Sequence, residues 1–438
     1  MTRARKWLVG LGAVLGLLLL LALIGLGLLP RDEELARRLA DQLSTATGVP
    51  VTVGAVQWRV WPSPRVVIEN VVTEQPKPIT LRKITLRPNL QALWQRRLQL
   101  NGVLLEGAVV PHLSVLALGR SARSGPPTLP LQLDAQPLLR FEFSDVTWES
   151  RLGMAVVYEG EVAFDAHWRP RTARLVRPGV TPPAALSATR QGQDDRWAVR
   201  TTLGGGTANG ELRLQTQPSG GLRLSGTLQP QGIDTAAALA AFNRKPVVAG
   251  KAAGTTTVSA EGDSPASLAR SLHTASSLRI SRARLLGFDL EKAVRSTGTE
   301  HAGTTPLDTL TLQLDTQNTA QGMVITFSNV KASSGALTAT GKARLLNQQI
   351  EGEFTVDLVE GLVGVPLKIS GPLKAVKVSV PRGAIAGAAV GTAVLPGIGT
   401  AIGARIGATL GKIFGAGPDP APNAKKPPPT PPPSPRQR

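Results

Sequence analysis

Cysteine is missing from this chain of 438 residues, and aromatic residues make up only 4% of it. Without cysteine there are no disulfides, no thiolate metal ligands and no cysteine nucleophile. The four histidines, His112, His167, His273 and His301, lack the close spacing of a metal pair on one element. The sequence also has no nucleophile elbow and no phosphate-binding glycine loop leading into a helix. We therefore expect no enzyme, no metal and no other cofactor.

The scarcity of aromatic rings also bears on the core, because such rings usually dominate compact protein interiors. A sheet lined by small aliphatic side chains fits this composition better, either packed on itself or open to an apolar guest.

Positive charge is in excess: the formal net charge is +19, of which +3 lies in the first 30 residues, +3 in the tail from 417, and the remaining +13 is spread over the body of the chain. Such an excess suggests anionic partners, such as phospholipid headgroups, lipopolysaccharide or nucleic acid; simple solubility is the alternative. No nucleic-acid recognition motif accompanies the charge, so we expect no nucleic-acid partner.

Residues 7–29 form an uncharged apolar run, WLVGLGAVLGLLLLLALIGLGLL. As a helix this run reaches ~35 Å, enough to cross a ~30 Å hydrocarbon core, whereas a cleaved signal peptide has a shorter apolar region of ~7–15 residues. We interpret it as an uncleaved transmembrane helix. The basic head before it is short and the body after it is long, which predicts a cytoplasmic N-terminus and an exported body. In a Gram-negative cell that is a single-pass inner-membrane protein with a periplasmic body.

The residues after this run predict one amphipathic helix and then a long series of strands. Leu35, Leu39 and Leu43 recur at helical spacing, and Gly48 is a suitable stop. From Val51 onward the apolar period is two, and we expect about sixteen strands. The clearest examples are residues 211–216, 221–228, 310–316, 322–329 and 353–358.

Four local features interrupt this pattern. In residues 79–86 the apolar phase slips at Arg82-Lys83, which predicts a bulge or turn. GGG at 204–206 predicts a hairpin turn. Residues 233–245 and 286–295 predict two short helices, the second capped by Asp289.

The strand spacing predicts an antiparallel sheet with one apolar and one polar face. Such a sheet can form a sandwich, close into a barrel, or curl into an open groove around an apolar guest. Composition alone does not separate these architectures.

Residues 383–415 carry a glycine at nearly every fourth position. This spacing is typical of helices that pack backbone to backbone in membranes. We expect a hairpin of two helices, about 383–394 and 399–415; a flexible linker is the alternative. The first arm reaches only ~18 Å and Arg405 interrupts the second, so we expect it to dip into one leaflet or plug the end of the sheet. The helix-packing glycines are Gly383, Gly387, Gly391, Gly399, Gly403, Gly407, Gly411 and Gly415.

Three stretches resemble the AsmA family of AsmA/TamB-like envelope proteins. They are LADQLSTATGVPVTVGAVQWRVWPSPRVVIENV with the later LWQRRLQLNGVLLEG, then SLRISRARLLGFDLEKAVRSTG, and finally residues 310–358 closing on VGVPLKISGPLKAVKVSVP. The resemblance is strongest over the first ~110 residues and over 270–381. It implies an inner-membrane anchor and a periplasmic β-rich body, curled in the larger members into a long apolar groove. It also implies a role in phospholipid transfer or outer-membrane assembly.

The resulting prediction is a mainly β protein with a transmembrane helix, an elongated curled antiparallel sheet (groove or sandwich), a few short helices and a glycine-zipper hairpin. Its partners would be membrane lipids, phospholipid first and lipopolysaccharide second, and envelope proteins. A non-catalytic envelope scaffold is the alternative. Candidate lipid-lining residues, for each of which core packing is the alternative, are Leu310, Leu312, Leu314, Met323, Ile325, Phe327, Phe354, Val356 and Leu358.

We divide the chain into six regions. They are the head and anchor (1–30), the AsmA-like N-terminal region (31–110), a middle β region (111–265), the AsmA-like C-terminal β region (266–381), the glycine-zipper hairpin (382–416) and a proline-rich tail (417–438) that we expect to be extended.

Overall fold

In a computed structural model of the chain, the structure describes residues 32–59, 63–118, 132–166, 169–192, 195–218, 220–263, 265–319, 321–358 and 364–381. No helix in these ranges is long and apolar enough to cross a membrane. The predicted transmembrane helix at 7–29, the glycine hairpin and the proline-rich tail lie outside the described residues.

The described residues are mainly β, with a few short helices. The helices are α1 (Asp32–Thr47), α2 (Leu90–Trp94), α3 (His112–Ala117), α4 (Thr235–Ala240), α5 (Pro265–Ser271) and α6 (Leu290–Arg295). The first strands are β1 (Val51–Arg59), β2 (Arg65–Thr73), β3 (Thr80–Pro88), β4 (Arg97–Pro111), β5 (Gln132–Leu138), β6 (Arg140–Glu149) and β7 (Ala155–Phe164). The next are β8 (Pro170–Arg177), β9 (Ala184–Gln191), β10 (Arg196–Leu203), β11 (Gly206–Thr216), β12 (Leu222–Gln231), β13 (Ile233–Asp234) and β14 (Val248–Gly262). The last are β15 (His273–Leu286), β16 (Thr304–Thr319), β17 (Gly322–Ser333), β18 (Leu337–Leu346), β19 (Gln349–Leu358), β20 (Val365–Pro372) and β21 (Lys377–Ser379).

All 21 strands belong to one sheet. Nearly every strand pairs with the strand before it and the strand after it in sequence, so the sheet is a long meander. β5 and β6 both pair with the same edge of β4, and β12 and β13 both pair with the same edge of β14. At ~4.8 Å per strand the sheet therefore extends roughly 85 Å along its hydrogen-bonding direction. Among the described residues its two outer strands, β1 and β21, do not pair with each other, so the sheet stays open.

We call the end of the sheet at which β1 starts the upper end, and the end at which β1 finishes the lower end. The turns that contain α3, α4 and α6 lie at the upper end, and α2 and α5 lie at the lower end.

The sheet is mixed, which corrects the expectation of a purely antiparallel one. β4 pairs in parallel with β5 and β6, with Val103 beside Phe141 and Val110 beside Trp148. The reason is the connection: β4 finishes at the upper end, and the next strand starts again at the lower end, so the two strands run in the same direction.

A line of irregular residues crosses the first strands, as the phase slip at Arg82 predicts. Asn70, Gly107 and Asp145 all have positive φ, at 55°, 71° and 53°. The register places Gly54 opposite Asn70, Asn70 opposite Arg82, Arg82 opposite Gly107, and Gly107 beside Asp145. The register of β1 to β4 is the same on both sides of this line, so these strands share the irregularity, and only the β6–β7 pairing shifts there, between Phe143 and Val146.

Two buried cores lie on the sheet, one toward each edge. In the first, Leu35, Leu39 and Leu43 of α1 pack with residues of β1 to β5 such as Ile68 and Leu86. In the second, α6 contributes Leu290, Ala293 and Val294, which pack with residues of β14 to β20. Between the cores, buried apolar residues are fewer, and most large side chains of the middle strands are only half-buried.

Several local predictions are confirmed. The amphipathic helix spans Asp32–Thr47 and is followed by Gly48 at φ 71°. Gly204 and Gly205, both at positive φ, form the turn between β10 and β11. Asp289 caps α6, since its Oδ1 accepts a hydrogen bond from the Lys292 backbone N–H at 2.9 Å.

Candidate functional site

One face of the sheet is apolar across almost its whole width, and we call it the apolar face. Residues paired directly across adjacent strands project to the same side. One such row runs through seven neighbouring strands without a polar residue: Ala252, Ile280, Leu310, Ala332, Ala339, Val356 and Val365. At the other edge of the sheet a matching row joins Val56, Ile68, Ile84, Leu105, Phe143 and Gly160.

The nine predicted lining residues all lie on the apolar face, but they divide into two groups. Leu310, Val356 and Leu358 are buried within the core that α6 completes. The other six are half-buried or exposed, and they lie mostly toward the lower end of their strands. They are Leu312, Leu314, Met323, Ile325, Phe327 and Phe354. Met323 is 54% exposed. The upper half of these strands is therefore packed, whereas the lower half leaves apolar side chains accessible beside polar ones such as Thr316 and Asn318, which lie opposite Ile325 and Met323.

The middle strands continue the apolar face with leucines that are only partly covered. Leu214 of β11 lies opposite Leu224 of β12, and both are half-buried. On β8 and β9, Leu175 lies opposite Leu186, which is 37% exposed. The apolar face therefore stays partly open between the two cores.

Glycines on the apolar face lie beneath large neighbouring side chains. A Cβ added to Gly160 would stand 2.6 Å from the Phe143 ring, and one added to Gly226 would stand 2.7 Å from Cδ2 of Leu212. The large side chains therefore lie down over the backbone of the next strand. This lowers the height of the apolar surface and leaves room above it.

The opposite face carries the charges, and we call it the polar face. Ion pairs cross its strands, such as Lys83 with Glu106 at 2.8 Å and Arg223 with Glu261 at 2.7 Å. These side chains are largely exposed, so each pair contributes little stability. Their effect is to keep this face hydrated while the other face stays apolar.

A short segment, residues 235–243, crosses the apolar face at the upper end, and we call it the strap. It begins beside β14, where Thr235 Oγ1 donates to the Val248 carbonyl at 2.7 Å. It ends at β7, where Asn243 Nδ2 donates to the Ala155 carbonyl at 2.9 Å. β7 and β14 are separated by six strand spacings, which is roughly 29 Å along the sheet. The strap consists of the six helical residues of α4 and three further residues, which together reach at most roughly 20 Å. The sheet must therefore curl in its middle part, with the strap over its concave side.

Arg177, at the end of β8, holds the strap from the sheet side. Its Nε donates to the Ala241 carbonyl at 3.0 Å, and Nη1 donates to the Val157 carbonyl at 3.1 Å. Tyr158 lies beside it on the apolar face, and burial raises the pKa of this phenol above its ordinary value of 10.0, while the charge of Arg177 partly opposes the rise. Arg177 could not be predicted from the sequence. A charged residue in a strand is normally assigned to the polar face, and its partner Ala241 is far away in sequence.

A second arginine lies on the apolar face at the lower end. Arg190 of β9 is directly opposite Trp197 of β10, and its side chain is only 5% exposed. It forms an ion pair with Asp165 in the turn after β7. Because a buried charge is costly without a partner, this pair fixes that turn to β9.

One serine, one histidine and one aspartate form a line on the polar face. His273 Nε2 lies 2.7 Å from Asp315 Oδ2, and its Nδ1 lies 3.5 Å from Ser259 Oγ. All three residues are on strands inside the sheet, whose backbone N–H groups are used by the ladders on both sides. An oxyanion would find no preorganised donor pair there, so the geometry does not support nucleophilic catalysis. The described ranges also contain no group of three or more metal-binding side chains.

No family model, no curated protein and no solved structure matches this chain.

Proposed function

We propose that this chain is an inner-membrane-anchored periplasmic protein that handles lipid by holding acyl chains along the apolar face. The resemblance to the AsmA family supports this proposal, with phospholipid transfer and outer-membrane homeostasis as the process served. The observation that carries it is the unequal covering of the apolar face. Toward the lower end and in the middle strands, leucine and phenylalanine side chains remain accessible on this face, whose charged side chains Arg177 and Arg190 are both engaged with partners.

The physical argument concerns the cost of moving a lipid tail through water. Each CH₂ group exposed to water costs about 0.8 kcal/mol, so a tail of some sixteen carbons cannot cross an aqueous gap unaided. A continuous apolar surface removes most of this cost without any chemical step. The small and flattened side chains of the apolar face, such as Phe143 over Gly160, leave space for such a tail.

The proposal predicts that lipid contacts one face of the sheet only. We would place a photo-crosslinking amino acid at Phe327, on the apolar face, and at Thr326, its neighbour on the polar face, in the full chain expressed in cells. Mass spectrometry of the isolated protein should find phospholipid joined to the residue at 327 and not to the residue at 326. Equal labelling at both positions, or none at 327, would contradict the proposal.

The scaffold alternative makes a different prediction for function in cells. Phe327→Asp and Ile325→Asp should abolish the activity of a lipid-handling protein, because a charge would interrupt the acyl path. An envelope scaffold would tolerate both substitutions as long as the chain stays folded. Circular dichroism of the purified variants separates loss of function from loss of fold.

A further inference from the structure

The helix α2 presents two large apolar side chains to solvent at the lower end of the sheet. Leu90 is 45% exposed and Trp94 is 90% exposed. They are four residues apart, so they project from the same side of this single turn. A tryptophan normally buries most of its large ring, so its near-complete exposure here requires an explanation.

The turn that carries this tryptophan is firmly held. Asn89 caps it, since its Oδ1 accepts from the backbone N–H groups of Gln91 and Ala92 at 3.0 and 3.3 Å. Ala92 is buried, and Leu93 packs against the first core. The exposure of Trp94 is therefore built into the fold.

A row of arginines lies at the same end of the sheet. Arg59 of β1 is directly opposite Arg65 of β2, and the register places Arg87 of β3 next to Arg65. All three lie on the polar face, and Arg96 follows α2. None of the four has an ion pair within the described part of the chain. Like charges directly opposite each other destabilise a sheet, so an anionic surface that neutralises them would relieve this repulsion.

The lower end is also where the described chain begins. Only three residues separate α1 from β1, and α1 packs in the first core. The helix must therefore run back along β1, which brings Asp32 toward the lower end. The predicted transmembrane run ends at Leu29, shortly before Asp32. At the upper end of the same strands, by contrast, Lys77 is paired with Glu149 at 2.5 Å.

We propose that α2 and the arginine row form a contact site for an anionic phospholipid bilayer. Trp94 and Leu90 would lie at the level of the headgroups, where tryptophan is favoured, and the arginines would face anionic phosphates. This contact would hold the lower end of the sheet against the membrane that carries the predicted anchor. It rests on that predicted anchor, and it does not depend on whether the apolar face holds lipid.

The absence of cysteine allows a direct test on the full chain. A nitroxide attached to Trp94→Cys would be the only label on the protein after reconstitution into vesicles. Its accessibility to a water-soluble nickel chelate should fall several-fold in vesicles containing about one third phosphatidylglycerol, compared with pure phosphatidylcholine. Leu152→Cys is the matched control, because Leu152 is 46% exposed in the turn at the upper end and should show no such fall.

The charge requirement is tested by a matched pair of triple variants on the labelled chain. Replacing Arg59, Arg65 and Arg87 with glutamine should weaken the contact between α2 and the bilayer. The equilibrium constant between the bilayer-bound and the free state of the lower end should fall by about fivefold per arginine. The control replaces three arginines that lie exposed on the polar face of the middle strands with glutamine: Arg174, Arg200 and Arg213. It removes the same charge and should leave the accessibility of the label at 94 unchanged. Circular dichroism of each variant confirms the fold.

Three results would overturn the proposal. The label at 94 could stay equally accessible in both kinds of vesicle, or the two triple variants could change its accessibility to the same extent. Shielding of the label that persists in phosphatidylcholine or in detergent would instead identify a protein contact at α2.

Discussion

Arg177 and Ala241 are 64 residues apart in sequence, yet the Arg177 Nε donates a hydrogen bond to the Ala241 carbonyl at 3.0 Å. This contact joins the end of β8 to the strap that crosses the apolar face at the upper end of the sheet. The same guanidinium also donates to the Val157 carbonyl, so its loss would remove one charged donor from two backbone carbonyl groups.

Arg177→Ala should therefore release the strap. Hydrogen bonds from a charged donor contribute about 1.5–3 kcal/mol, so amide exchange in residues 235–243 should accelerate by roughly 10- to 100-fold. Hydrogen-exchange mass spectrometry measures this directly. Arg174→Ala is the control, since Arg174 is exposed on the polar face of the same strand; faster exchange in that variant too would show that the strap does not depend on Arg177.

Tyr158 is the only tyrosine of the chain, so its titration can be followed by ultraviolet absorbance without interference. Burial raises its pKa above 10.0 in the folded state, and we expect a higher midpoint in the native chain than in the urea-unfolded chain. Because the Tyr158 phenol keeps its proton to a higher pH in the folded state than in the unfolded state, its contribution to the free energy of unfolding is fully present below pH 10. It is lost as the pH rises from about 10 through the folded pKa. Coincident midpoints in the two states would show that the Tyr158 ring is not buried in the folded chain.

Leu310 and Met323 belong to the same predicted lining, but the structure assigns them different surroundings. Leu310→Ala should lower the free energy of unfolding by about 2–5 kcal/mol, because Leu310 is only 8% exposed within a packed core. Met323→Ala should cost less than about 1 kcal/mol, because Met323 is 54% exposed. Urea denaturation compares the two variants, and similar losses would mean that the lower half of the apolar face is packed as well.

Gly160 is predicted to be intolerant of any side chain. A Cβ at this position would overlap the Phe143 ring and the Arg174 carbonyl oxygen, so Gly160→Ala should destabilise the chain by about 1–3 kcal/mol. Gly335→Ala is a suitable control, because a Cβ there meets no atom within 4 Å. That variant should leave the melting temperature unchanged or slightly raised. An unchanged melting temperature for Gly160→Ala would mean that both the Phe143 ring and the β8 backbone at Arg174 can move aside without cost.

Much of this architecture can be read from sequence, because one face of each strand is apolar and the other is not. The alternation of Leu310, Leu312 and Leu314 is such a pattern, and the slip at Arg82 lies on a line of residues that includes Asn70, Gly107 and Asp145, all at positive φ. Capping by Asp289 is equally local, since donor and acceptor are three residues apart.

Other features depend on contacts between segments that are distant in sequence, and the apolar alternation within a strand contains no information about such contacts. The parallel pairing of β4 with β6 follows from where the connection between them returns. The role of Arg177 follows from a partner 64 residues away. Alternation places Leu310 and Met323 on one face, but it contains no information about which of them α6 covers. The glycine hairpin at 382–416 stays a prediction.

The meander has a consequence for how such a protein changes its size. Each strand contacts mainly its neighbours in sequence, as in repeat proteins, so a pair of strands can be added or removed without altering the pairing elsewhere. A whole hairpin preserves strand direction, keeps the same face apolar and lengthens the sheet by about 10 Å. A single added strand would instead move every later turn to the opposite end. Growth by hairpins thus makes length an independently adjustable property of this fold, and the parallel pairing of β4 with β5 and β6 departs from that hairpin pattern.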